Sequence, residues 1–275
     1  MSHKILCIIL MVPLFAFTQE SDPEQLEKGV NFIKAPTHSH GENGRILKLF
    51  AGLRVADVVD AMDMVGLQDV GLVNPEIHAA WKDIDSLKHH FCGIALTVRY
   101  VPSNLPNGPA ANEEFGQWQD HFYSTYSSEA FIAIIKLGHV IVIDDVEDSD
   151  IGSIGSYNIL DWHASGAVGV ITDAGARDID EIAIEKVPLY FRRVGRGMRP
   201  GRNMLESVNR PVSIGGVLVC PGDVVVADGD GVVVVPRRVA ESVANHARKI
   251  LEADKEARRE LYESLGMPLD NTVKK

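Results

Sequence analysis

Helices and strands alternate along this chain, an order that predicts a mixed α/β fold, of either the α/β or the α+β kind. Three observations carry that prediction. Short β-branched runs, Val140-Ile141-Val142-Ile143, Val168-Gly169-Val170-Ile171 and Val232-Val233-Val234-Val235, are bounded by turn-forming or acidic residues and read as buried strands. Apolar residues elsewhere recur at helical spacing, as in Leu49, Leu53, Val55, Ala56, Val58, Val59 and Met62. The sequence shows neither an internal repeat nor a P-loop, so the order is not that of a solenoid or a nucleotide-binding P-loop domain. Its 275 residues suffice for one large domain or two small ones. An apolar content of 45% with 24% charged residues fits a globular protein.

The first segment stands apart. His3 and Lys4 precede an apolar run from Ile5 to Phe17, then Thr18, Gln19 and the polar run Glu20-Ser21-Asp22-Pro23-Glu24. A short basic region before an apolar core of this length reads as a signal peptide over 1–19, and implies export to the periplasm or the medium. The small residues Ala16 and Thr18 allow cleavage after Thr18. The run is too short for a transmembrane helix, and the mature chain holds no integral membrane segment. Residues 20–45, with Pro23, Pro36, Gly41 and Gly44, read as a flexible N-terminal arm. Within it, His38-Ser39-His40 offers only two histidines, a poor metal site.

Residues 46–65 predict one amphipathic helix or two short ones, with Asp57 and Asp60 solvated or capping. A turn-rich connection follows over 66–77, then a strand over Phe91–Tyr100. The stretch 102–128 holds three prolines and the aromatics Phe115, Trp118, Phe122, Tyr123 and Tyr126. It reads equally as a packed lid or contact surface and as a helix docked on the body. A short helix is expected over Glu129–Gly138 and a strand over Val140–Asp144. The carboxylates Asp144, Asp145, Glu147, Asp148 and Asp150 lack EF-hand spacing, which favours a solvated loop. Ser156–Ser165 predicts a helix, Val168–Ile171 the central strand and Val187–Phe191 another. Arg192, Arg193, Arg196, Arg199 and Arg202 then form a basic loop, suited to an anion, to a partner's acidic face or simply to solvent. Val212–Cys220 and Val224–Val226 are expected to pair around Pro221-Gly222-Asp223, and Asp228–Gly231 to turn into Val232–Val235. A long charged helix over Val239–Leu265 precedes a tail at 266–275. Cys92 and Cys220 define neither a disulfide framework nor a zinc site, and read as buried free thiols.

The chemistry concentrates where the central strand ends, at Thr172-Asp173-Ala174-Gly175-Ala176-Arg177-Asp178, with Glu181 one helical turn on. Loops leaving strand ends are where α/β proteins place ligand sites. Arg177 offers a planar fork for a carboxylate, and Asp178 a hard oxygen ligand for Mg²⁺ or Mn²⁺. The plain alternative is an Arg–Asp surface pair capping a helix. A net charge of −11 argues against nucleic acid as a partner, since phosphate binding needs a basic face.

Three blocks resemble the RraA-like family, which includes class II 4-hydroxy-4-methyl-2-oxoglutarate (HMG) aldolases and the regulator of ribonuclease E activity A. The first is Gly166-Ala167-Val168-Gly169 with Asp173-Ala174-Gly175-Ala176-Arg177-Asp178 and Glu181. The second runs from Pro221 to Pro236, and the third joins Val55–Met62 to Gly93–Val98. The resemblance implies a swivelling β/β/α RraA-like domain over 46–265, with 102–128 as an insertion, and ring-shaped homotrimers or paired homohexamers. It also implies a divalent-metal-dependent lyase that releases pyruvate from a small 2-keto acid, and by the same enolate decarboxylates oxaloacetate. Arg177 and Asp178 would be catalytic, with Asp178 holding the metal. Gly155, Ser156 and Arg177 would bind substrate, and Asp173 and Glu181 would support them or simply start a helix. A keto-acid-binding or regulatory protein without turnover is the alternative. Two departures bear on that choice. Where the family's aldolases carry an acidic residue twenty-one positions before the arginine, this chain has Ser156, and the family's Asp-Gly is here Asp173-Ala174. With Ser156, ligand binding is expected to survive and aldol cleavage to be slow or absent.

Overall fold

The computed structural model describes residues 22–146 and 150–274. The expected signal peptide, and Glu147 and Asp148 of the acidic run, lie outside the described residues. The chain divides into two compact units at Lys34/Ala35. In the first, α1 (Pro23–Glu27) starts with Asp22 accepting the Glu24 N–H at 3.1 Å.

The second unit is a mixed α/β domain. Its chain runs α2 (His40–Phe50), α3 (Val55–Met64), β1 (His78–Ala79), β2 (Phe91–Pro102), α4 (Phe115–Thr125), β3 (His139–Asp144) and α5 (Ser156–Ala164). It continues β4 (Ala167–Thr172), β5 (Gly175–Ala176), α6 (Ile179–Glu185), β6 (Leu189–Phe191), β7 (Arg193–Val194) and β8 (Asn203–Val208). Last come β9 (Val212–Ile214), β10 (Val217–Val219), β11 (Val224–Asp228), β12 (Gly231–Val235) and α7 (Ala240–Ser264). The main sheet is ordered β1-β6-β4-β3-β2-β11-β12, with β8 also pairing β2. β2, β3, β4 and β6 are mutually parallel where they pair. The C-terminal ends of β3, β4 and β6 therefore come to one edge of the sheet, and the loops after Asp144, Thr172 and Phe191 leave from it.

The two-helix alternative holds for 46–65, but α2 begins at His40, so residues 40–45 are helix rather than arm. The cause is a capping box: Ser39 Oγ accepts the Glu42 N–H at 3.2 Å, and the Glu42 carboxylate accepts the Ser39 N–H at 2.7 Å. Asp57 caps α3 from a buried position, accepting the Arg54 N–H at 3.1 Å and the Arg54 guanidinium at 2.6 and 2.9 Å. In the 102–128 stretch α4 buries Trp118 and Phe122, as a docked helix does. The helix expected over 129–138 is only a 3₁₀ turn, Ala130–Ile134.

The expected pairing of Val212–Cys220 with Val224–Val226 is wrong. Gly215 and Gly216 both take positive φ, 52° and 84°, and fold β9 back on β10 as a local hairpin. The Pro221-Gly222-Asp223 turn then carries the chain to β2, so β11 pairs β2 on one side and β12 on the other. Asp228 holds the β11–β12 hairpin, accepting the Asp230 N–H at 2.9 Å and the Val55 N–H at 2.8 Å. α7 seats Val243, Ala244, Ala247 and Leu251 on one stripe, whereas Leu261 nearer its end is exposed. The tail is not loose throughout, since Val273 is buried. Cys92 and Cys220 are free and half-buried.

Candidate functional site

The loops leaving β3, β4 and β6 are knitted together by backbone hydrogen bonds. Arg177 N–H donates to the Ile154 carbonyl at 2.8 Å, Ser153 N–H to the Gly175 carbonyl at 3.1 Å and Gly195 N–H to the Ala176 carbonyl at 2.8 Å. The strands approach so closely that glycine is required. A Cβ on Gly175 would lie 2.2 Å from the Ile151 carbonyl oxygen, and one on Gly195 2.0 Å from the same atom. β5, β7 and the 151–154 strip thus form a small rigid shelf.

At its edge Gly155, Ser156, Arg177 and Asp178 meet. Asp178 takes a left-handed backbone, φ 57°, an uncommon conformation for a side chain other than glycine and one found enriched where function demands it. Its Oδ2 accepts the Ser156 N–H at 3.1 Å and the Ser156 hydroxyl at 3.4 Å. It therefore sits at the N-terminal end of α5, where the helix dipole favours an anion. Gly155 leaves room for this contact: a Cβ there would lie 2.8 Å from Asp178 Oδ2. Asp178 Oδ1 is engaged by no described residue, and the side chain is exposed. Arg177 is half-buried, and its guanidinium makes no hydrogen bond or ion pair with a described residue.

Asp173 and Glu181 do not join this cluster. Asp173 is buried and directed elsewhere, its carbonyl accepting Arg192 Nε at 3.1 Å and its Oδ2 the Gly215 N–H at 3.4 Å. Glu181 is exposed in the first turn of α6, a helix-start carboxylate.

Below the shelf lies a buried polar network that the sequence reading missed. Glu129 accepts Asn158 Nδ2 at 2.7 Å and Trp162 Nε1 at 2.8 Å, both on α5, and pairs with Arg199. Arg199 is 4% exposed, donates to the Tyr100 hydroxyl at 2.8 Å and lies 5.3 Å from the ring centres of Tyr100 and Tyr123. Burial alone opposes its charge, and Tyr100, Glu129 and Tyr123 around it raise its pKa overall. Asp145 is buried too, and accepts Ser153 Oγ, the Val146 N–H at 2.7 Å and Asn203 Nδ2 at 2.8 Å. Burial pushes its pKa up, and those hydrogen bonds oppose the rise.

These contacts correct two expectations. The acidic run is not simply a solvated loop, since Asp145 is inside and Asp150 pairs with Arg196 at 2.6 Å. Nor is the basic loop a free cationic surface: Arg192 pairs with Glu76, Arg196 with Asp150 and Arg199 with Glu129. The Asn158/Trp162 spacing puts two donors on one face of α5, but nothing in the sequence directs them to Glu129.

Residues 55–234 match the family described as RraA-like, Aldolase/RraA. A protein of Halalkalibacterium halodurans named "Putative 4-hydroxy-4-methyl-2-oxoglutarate aldolase" is 34% identical over 44% of this chain and 57% of its own length. The chain thus spans only somewhat over half of that relative. Among solved structures, an uncharacterized protein from Pseudomonas syringae pv. tomato is 27% identical with a TM-score of 0.63, covering 86% of this chain and 97% of its own. Streptomyces coelicolor RraAS2, described as an unusual member of the RNase ES inhibitor RraA family, shares the fold with a TM-score of 0.62 at 21% identity, over 82% of this chain and 98% of its own.

Proposed function

This chain belongs to the RraA-like family, and we propose that the Gly155–Ser156–Arg177–Asp178 cluster is a divalent-metal-dependent lyase site. Its substrate is a small 2-keto acid of the HMG type and its product pyruvate, with oxaloacetate decarboxylation as a related outcome. The observation that carries this reading is the pairing of an uncommitted guanidinium with an exposed carboxylate on a shelf of closely packed backbone.

The residues fit Mg²⁺ or Mn²⁺ better than a metal held in a protein cage. Among the described residues no three His, Cys, Asp or Glu are grouped to hold a metal. Asp178 Oδ1 is open, and Mg²⁺ is commonly held by one or two carboxylates with water and substrate oxygens. When bound, such a cation supplies Lewis-acid stabilisation of enolate charge. The remaining work falls to the chain. The Arg177 fork binds the substrate carboxylate and holds the keto group in register beside Asp178. Gly155 keeps the approach open. Ser156 fixes the rotamer of Asp178 through two hydrogen bonds, but its hydroxyl is no general base near neutral pH without an activating partner.

Ser156 therefore limits cleavage. An aspartate there would stand against Asp178 Oδ2, and two carboxylates that close raise one pKa and retain a proton to exchange with the reacting hydroxyl. Ser156→Asp is expected to raise cleavage of an HMG-like substrate by on the order of 10²–10⁴, with pyruvate affinity little changed. Equal turnover by the parent contradicts this role for Ser156.

The second reading is a keto-acid-binding or regulatory protein without turnover. It draws support from Ser156 itself, which satisfies Asp178 Oδ2 as a helix cap would. Pyruvate release from HMG with Mg²⁺ or Mn²⁺, beside an oxaloacetate decarboxylation assay, separates the two. Release stopped by EDTA supports the lyase. Ligand binding with no release in either assay supports the second reading. Export and a trimeric or hexameric ring complete the proposal. A mature N-terminus near Gln19 or Glu20 and a sedimentation mass of three or six chains are the corresponding checks, and intact Met1 or a monomer would contradict them.

A further inference from the structure

A separate cavity of about 340 Å³ opens at the N-terminal end of β3, whereas the site above lies beyond the C-terminal end of that strand. Thr37, His38, His40, Asn43, Lys136, His139 and Asn209 supply its polar side chains, and among the described residues no Asp or Glu lines it. That composition is unexpected in a chain of net charge −11.

Donors outnumber acceptors in this lining, although Asn43 Oδ1 is a buried acceptor with no hydrogen-bond partner among the described residues. His139 Nδ1 faces the Lys136 backbone N–H at 3.2 Å and accepts from it, so the neutral ring carries its hydrogen on Nε2. Burial first, then Lys136 and His40, lower the His139 pKa, which keeps this ring neutral and leaves the positive charge to Lys136. His38 Nε2 is a buried atom with no hydrogen-bond partner among the described residues. The N-terminus of α2 also reaches the cavity, since its residues His40 and Asn43 line it. The nearby carboxylate of Glu42 is occupied by the Ser39 N–H at 2.7 Å and the Ser39 hydroxyl at 2.8 Å.

A cation would meet Lys136 and the positive end of a helix dipole here. An oxyanion would meet donors on several sides and give His38 Nε2 the partner it lacks. We propose that this cavity binds a small, doubly charged oxyanion, a site distinct from the Arg177–Asp178 cluster.

Sulfate is the probe, because its charge does not change over the accessible pH range. It is titrated calorimetrically into the full chain at pH 7, with chloride holding ionic strength constant. Saturable binding at one sulfate per chain is expected. Lys136→Gln and His139→Gln should each weaken it by about tenfold, the loss of one charge-assisted or buried donor. Arg177→Lys should leave it unchanged. Lys136 is exposed, so Lys136→Gln reads binding rather than folding. Parent-like sulfate affinity in Lys136→Gln overturns the proposal. So does sulfate binding no stronger than chloride, or loss of sulfate binding in Arg177→Lys alone, which would put the anion at the other site.

Discussion

On one side of the sheet, α2, α3 and α7 pack on β11 and β12 through apolar side chains such as Phe50, Val58, Ala61, Val233 and Val243. At the C-terminal ends of β3, β4 and β6 the chain is held differently, by close backbone contacts at Gly175 and Gly195 and by the Glu129–Arg199 and Asp145–Ser153–Asn203 contacts. Apolar packing is nearly non-directional and accepts swaps that conserve volume. A buried polar network is directional, and a member left without its partner costs its full desolvation. The first region therefore supplies stability, and the second fixes where Ser156 and Asp178 stand. Mutation should separate the two roles.

The largest expected effects test that separation directly. Phe50→Ala should lose about 3–5 kcal/mol to the transfer and cavity terms, with keto-acid affinity intact at temperatures where the protein stays folded. Arg199→Ala should lose a similar amount, about 3–5 kcal/mol, because it leaves Glu129 without its partner. It should also weaken ligand binding, since Glu129 then no longer holds α5 through Asn158 and Trp162. Urea denaturation and calorimetric titration of both variants give the comparison. If they lose affinity equally, the two regions are not distinct in function.

Gly175→Ala comes next. The added methyl meets a backbone carbonyl, which cannot rotate away as a side chain would, and overpacking of this kind costs about 1–3 kcal/mol. Because β5 leads straight into Arg177, a fall in pyruvate affinity should accompany the loss of stability. A variant with parent-like affinity would show that the shelf does not position the arginine.

The difference between the regions also explains what the sequence made legible. Val232–Val235, Val140–Ile143 and Val168–Ile171 announce buried strands because β-branched runs between turn residues have few other uses. Arg177 and Asp178 could be marked as candidates because they follow such a strand directly. The pairing of β9 with β10 was missed because two adjacent glycines at positive φ set it, and Gly215-Gly216 within a valine-rich stretch reads as part of one long strand. Glu129 and Arg199 were illegible for another reason. They are seventy residues apart and come together only once α4 and α5 have packed, so neither period nor spacing reports them. Asp145 sits in an acidic run whose composition suggests solvent, and only the fold turns it inward.

The smallest expected effect is in the pH dependence of stability. Burial raises the Asp145 pKa above its unfolded value. Between those two values the native state binds more protons than the unfolded state, so stability falls as pH rises through that window. Asp145→Asn removes the titration and should flatten that part of the curve, whatever it does to the overall level. Chemical denaturation from about pH 4 upwards, where an unperturbed aspartate is about half ionised, measures the slope. Parallel curves for parent and variant would mean that Asp145 does not titrate differently on folding.

The most direct measurement is calorimetric titration of pyruvate into the parent, Arg177→Lys and Asp178→Asn, with and without Mg²⁺ or Mn²⁺. Arg177→Lys keeps the charge but loses the bidentate fork. Asp178→Asn keeps an oxygen to accept the Ser156 N–H and loses the anionic metal ligand. Both should fold as the parent does, by circular dichroism. The expected result is metal-supported pyruvate binding in the parent, weakened at least about tenfold in Arg177→Lys and no longer supported by metal in Asp178→Asn. Parent-like metal and pyruvate binding in both variants would place the functional site elsewhere in the chain.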